Sequence, residues 1–169
     1  MPYSIFVFNQ CALGEISADE LESDLKKISF TTLCKQYGLD PQLIPEAQEN
    51  LDVLAADSDV SPFFLVSYQP KKENLITVFR REVRFPEDKA LLMEFVQGQQ
   101  IYSIKSALHQ TCCFFRIDLE ESQLRDMGLL LGYEIARWLS FRGKGLVLDL
   151  QGVWYRLNFH QAFIPFMEK

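Results

Sequence analysis

The 169-residue chain contains no stretch of about eighteen consecutive apolar residues, which excludes a helix long enough to cross a membrane. Its opening, MPYSIFVFNQ, has neither the cationic start nor the small-residue cleavage site of a secretory leader, and the expected compartment is the cytoplasm. Histidine is scarce, at two residues, and the four cysteines (Cys11, Cys34, Cys112, Cys113) form no Cys-x-x-Cys pair. No metal and no cofactor are therefore expected, and in a reducing compartment the cysteines stay thiols, with no disulfide. Gly-x-Gly-x-x-Gly, a Walker-type Gly-Lys-Ser/Thr, His-Glu-x-x-His and Gly-x-Ser-x-Gly are all absent, which removes sequence support for nucleotide binding, zinc proteolysis and serine hydrolysis.

Basic residues are missing where nucleic acid would need them. Residues 1 to 60 hold eleven Asp/Glu against three lysines, whereas the remainder holds twelve acids against fourteen bases, for a net charge of −6. Residues 30 to 47 have roughly the small-residue, glycine and aliphatic spacing of a helix-turn-helix at Cys34, Gly38 and Ile44. The second half of that unit carries Pro41, Pro45, Glu46 and Glu49 and no cation, so phosphates would be repelled.

What is abundant is aromatic: fourteen phenylalanines within an aromatic share of 13% give a bulky core and leave apolar surface for a partner. The length fits one domain, 1–169, with a possible helical N-terminal subdomain over residues 10–57. The expected class is α+β: a mixed, largely antiparallel sheet of about six strands packed against a long helix in the C-terminal half, with an acidic helical layer at the N-terminus.

The stretch from Cys112 to Asn158 organises that expectation. Alternating Cys113, Phe115, Ile117 and Leu119 read as a strand, and Asp118 with Glu121 reads as a capping box that starts a helix near Leu119. Leu124, Met127, Leu131, Ile135, Trp138 and Leu139 then mark a buried stripe, with Glu134 and Arg137 off it. Gly128, Gly132 and Ala136 line a neighbouring stripe that calls for close backbone approach, since each helical glycine costs about 1 kcal/mol relative to alanine. Arg142 and Gly143 read as the basic last turn and left-handed cap. Beyond them LVLDL and VWYRLN form a hairpin about Gln151-Gly152, which sets Leu148 opposite Tyr155 and Asp149 opposite Trp154.

Upstream, YSIFVF reads as an interior strand and Ser17-x-x-Glu20 caps an acidic helix. Phe30, Leu33, Cys34 and Tyr37 continue a helical period to Gly38, and a further helix carries Ala47, Leu51, Leu54 and Ala55 on its apolar side. Asp57 to Pro62 is a polar connector. FFLVSYQ and LITVFRREV make a hairpin, Pro86 opens a helix that ends at Gly98, and residues 101 to 110 fit strand and helix equally. The tail FHQAFIPFMEK packs along a sheet edge or against another subunit.

Three constellations carry chemistry. Arg80, Arg81 and Arg84 form a basic cluster suited to an acidic partner. Asp149, Trp154 and Arg156 could line a polar pocket beside the last hairpin. Cys112, with His109 three residues before it, is a candidate reactive thiol. None assembles a catalytic set. The reading that follows is a non-enzymatic interaction or regulatory protein that forms homo-oligomers or binds a protein partner, with neither nucleic acid nor membrane as its target. The alternative is a small-molecule-binding protein or small enzyme using the pocket beside the last hairpin.

Overall fold

The computed structural model describes residues 2–55 and 64–166. The first strand, β1 (Tyr3–Asn9), is followed by α1 (Ala18–Lys26), α2 (Phe30–Tyr37), a short 3-10 turn and α3 (Ile44–Asn50). Strands β2 (Asp52–Ala55), β3 (Phe64–Ser67) and β4 (Ile76–Glu82) come next, then α4 (Pro86–Gln97), α5 (Tyr102–His109) and β5 (Cys113–Leu119). A second 3-10 turn leads into α6 (Met127–Gly143), and β6 (Gly145–Leu148), β7 (Trp154–Leu157) and β8 (Phe163–Pro165) complete the chain.

The chain is α+β. Among the described residues one sheet holds eight strands, not six, in the order β2-β3-β4-β5-β1-β6-β7-β8. Pairs β1–β6, β2–β3, β3–β4, β6–β7 and β7–β8 are antiparallel. The two strands beyond the expected six come from segments read otherwise: Asp52–Ala55 continues no helix, because α3 stops at Asn50, and Phe163–Pro165 turns the tail into an edge strand. Residues 101 to 110 resolve as α5, with Ile104 and Leu108 buried at helical spacing. The connector Asp57 to Pro62 and residues 167–169 lie outside the described residues.

Two compact units divide the chain: Met1–Ser4, Glu15–Phe79 and Ile117–Ile135 form the first, and Ile5–Gly14, Arg80–Arg116 and Ala136–Lys169 the second.

In the first unit, Ser17 caps α1 by accepting the Glu20 N–H at 3.0 Å, as its capping-box spacing implies, and Leu21 and Leu25 face inward. Gly38 ends α2 at φ 66, the left-handed cap expected of it. The start of α6 differs from the sequence reading. Asp118 accepts the Ser4 hydroxyl at 2.6 Å instead of capping a helix, and the strand runs on to the buried Leu119. A capping box forms instead between Glu120 and Gln123, whose Oε1 accepts the Glu120 N–H at 2.7 Å. Asp126 then supplies the next acceptor, taking the Gly128 N–H at 2.7 Å and the Tyr68 hydroxyl at 2.7 Å. Gly128 meets the close approach expected of it, since a Cβ there would collide with the Tyr68 hydroxyl and with Gln123.

In the second unit the core gathers Phe8, Leu92, Val96, Ile104, Leu108, Phe114, Leu146 and Trp154, which places α4 and α5 over one face of the sheet. Phe8 sits at its centre, 5.5 Å from both the Phe114 and Trp154 rings and 5.1 Å from that of Phe95. On the other face Asn9 and Gly145 meet the end of α6: Asn9 Nδ2 donates to Leu139 O, and Ser140 Oγ to Gly145 O. Glu134 is buried with the helix rather than lying on a wet face, because α6 carries buried residues on nearly every side. Gly143 is the last helical residue, and the left-handed position falls one later, on Lys144 at φ 51.

Candidate functional site

The last hairpin is one residue out of the expected register. Leu148 pairs with Trp154 and Val147 with Tyr155, so Leu148 and Tyr155 face opposite sides of the sheet. The cause is Asp149. Its backbone N–H donates to Val153 O at 3.0 Å, and its Oδ1 accepts the N–H groups of Gln151 and Val153 at 2.9 Å each. A carboxylate that closes the turn in this way adds Leu150 to the loop and moves every later residue by one position. Gly152 takes the positive φ, at 80, that the turn requires.

This register decides what Asp149, Trp154 and Arg156 share. Asp149 is buried as a turn acceptor, Trp154 is buried in the core against Phe8, and Arg156 is exposed on β7 opposite Leu146 and Ile164. The three do not converge on one cavity wall. Tyr155 is the side chain that senses Asp149: burial first, then the nearby carboxylate charge and a hydrogen bond to it, push the phenol above its ordinary range.

Arg80, Arg81 and Arg84 lie together at the end of β4, each beside a carboxylate. Glu82 receives Arg80 at 3.5 Å and Arg84 at 2.6 Å, and Arg81 reaches Asp88 in the first turn of α4 at 3.4 Å. Asp88 also accepts the Glu82 N–H, which locks strand end to helix start. Arg84 lies over the Phe85 ring at 4.8 Å. Glu82, which the basic-cluster reading left out, pairs with the arginine two residues to either side of it.

Cys112 is half-buried, and its Sγ donates to Asn9 O at 3.5 Å. His109 is exposed in the last turn of α5 and makes no hydrogen bond to Cys112. The neighbouring thiol of Cys113 is pushed up to about 11, chiefly by burial and then by Cys112, against a lowering pull from the Arg80 charge. Such a thiol is protonated at neutral pH.

The first unit contains an open cleft of about 450 Å³ lined by Glu73, Asn74, Leu75, Glu120, Glu121 and Ser122. Gln123 braces it from behind, donating to Asn74 O at 3.1 Å. Among the described residues no group of three or more His, Cys, Asp or Glu is arranged to hold a metal ion, and no helix is long and apolar enough to cross a membrane.

One surface stands out that the sequence reading did not select. Several strand ends of the second unit come together: Val83 N donates to Cys112 O, Cys112 N to Asn9 O, and Gln10 N and Cys11 N to Gly143 O. Asn9 pairs with Gly145, and Leu157 with Phe163 starts the turn into β8. Along this end of the sheet project Phe85, Phe141 and Phe159, which are 49%, 50% and 93% exposed. The Phe159 loop is tied at both ends. Asn158 Oδ1 accepts the N–H groups of His160 and Ala162 at 2.8 and 2.9 Å, and Asn158 N donates to Ala162 O at 3.0 Å. An asparagine between two apolar runs is a turn signal in the sequence, but no periodicity announces that the next phenylalanine points into water.

No family model matches the chain, and no curated protein or solved structure shows significant similarity to it.

Proposed function

We propose that this chain is a non-enzymatic interaction protein that associates with further copies of itself. The observation that carries the reading is Phe159: a large apolar side chain, 93% exposed, on a loop already ordered by Asn158. Burying one phenylalanine contributes about 1.5–3 kcal/mol, and a pre-ordered loop lowers the entropic cost of using it. Exposed Phe85 and Phe141 extend the apolar area available.

Two further features support contact through this end of the sheet rather than through strand addition. At the β2 edge, Glu22 Oε1 accepts the outward Val53 N–H at 2.8 Å. At the β8 edge, Phe166 N to Trp154 O and Asn158 N to Ala162 O make Arg156 and Ile164 the hydrogen-bonded pair. The backbone of Phe163 and Pro165 therefore faces outward, and Pro165 has no N–H to offer there. Both edges are blunted.

Sedimentation equilibrium tests the reading. A weight-average mass that rises above the 19.6 kDa monomer with concentration is expected. A strict monomer at high concentration and low salt would contradict it.

A further inference from the structure

We infer that the self-association surface carries its own acid switch: His160, in edge-on contact with Phe159, weakens the contact between copies when it takes up a proton. This rests on the self-association proposed above and adds its regulation. The two rings lie 5.5 Å apart between centroids at an interplanar angle of 80°, and both side chains are exposed. One acceptor fixes their places, since Asn158 Oδ1 takes the N–H groups of His160 and Ala162 at 2.8 and 2.9 Å, with Gln161 at φ 61 between them. A second copy that covers the Phe159 ring therefore also removes water from the imidazole against it.

Removing water from a neutral imidazole costs little, whereas an imidazolium loses far more unless an anion takes the water's place. Within the turn from Asn158 to Ala162, His160 is the one titratable residue. Of the strands that flank the turn, β8 carries no charged residue, and β7 carries the cation Arg156 and the phenol Tyr155. From α6 a second cation, Arg137, lies over the Phe163 ring at 4.8 Å. Tyr155 is held above its ordinary range by burial and by Asp149, so it stays neutral throughout acidification. Asp149 itself sits at the far end of β7, where its Oδ1 accepts the N–H groups of Gln151 and Val153. A proton on His160 thus adds a cation beside cations.

Histidine is the side chain whose charge changes between about pH 5 and 8, so association is full while the imidazole is neutral and declines as pH falls through that range. The chain as a whole pulls the other way. Its net charge is −6 and its isoelectric point about 5.0, and acidification therefore lowers the general repulsion between copies and by itself favours association. The switch opposes that background.

His160→Gln separates the two effects, because glutamine at this exposed position stays neutral while the other histidine, His109, is retained. Sedimentation equilibrium of the parent chain and the variant is compared at about pH 7.5 and about pH 5.5, with circular dichroism confirming that both stay folded. Relative to the variant, the parent chain is expected to associate about fivefold or more weakly at the lower pH, the small end of the usual coupling between two linked binding events. If the parent chain associates but both proteins respond to pH alike, or the parent chain tightens relative to the variant on acidification, the switch is overturned while self-association stands. A parent chain that is monomeric at both pH values removes both.

Discussion

Asn9, the last residue of β1, donates from Nδ2 to the carbonyl oxygen of Leu139 in α6 at 3.2 Å, and both residues are fully buried. The amide fills the space over Gly143 and Gly145, where a Cβ on either glycine would overlap it. Helix end, strand end and amide thus fit only because two positions carry no side chain.

Gly145→Ala is expected to destabilise the protein by about 1–3 kcal/mol, the usual cost of overpacking a buried site. Asn9→Ala alone loses a buried hydrogen bond and costs about 1–3 kcal/mol. The double variant should cost less than the sum, because the shortened residue 9 makes room for the new methyl. Urea midpoints of the four proteins measure the coupling, and strict additivity would show that the amide and the glycine do not share the space.

The last hairpin makes a second test. Asp149→Asn keeps an oxygen that can accept from Gln151 and Val153, whereas Asp149→Ala abandons both bonds. Asn is expected to cost a few tenths of a kcal/mol and Ala about 1–2. Equal losses would mean that the charge of Asp149, not its acceptor geometry, holds the turn.

Tyr68 gives a pH test. Burial, then its hydrogen bond to Asp126, raises the phenol far above its ordinary value. The folded state therefore keeps a proton that the unfolded chain releases near pH 10, so stability is full below that pH and falls as pH rises beyond it. Tyr68→Phe should be less stable at pH 7 and show a shallower alkaline decline. Parallel declines in the two proteins would place the alkaline sensitivity elsewhere.

Much of this was legible in the sequence, and the misses have specific causes. Ser17, Gly38 and the alternation from Cys113 to Leu119 act through neighbouring residues alone, and each stands as read. The start of α6 moved because Asp118 is engaged by Ser4, a residue 114 positions away. The hairpin register moved because one buried carboxylate outcompeted a two-residue turn. Glu134 lies inside because nearly the whole circumference of α6 is covered, which no single stripe of apolar residues can signal. The candidate site depended on relations of the same long-range kind. Cys112 meets Asn9 rather than His109, and the arginines of β4 meet Glu82 and Asp88. Exposure of Phe159 is the hardest to read, since sequence pattern treats an apolar residue as a core candidate.

The central claim is that Phe159 is displayed for contact with another copy, and hydroxyl-radical footprinting reads it directly. In dilute solution Phe159 should be among the most heavily oxidised phenylalanines, and its oxidation should fall as concentration rises while that of buried Phe114 stays low throughout. Oxidation of Phe159 that is independent of concentration in a self-associating sample, or already low in the dilute monomer, would contradict the account.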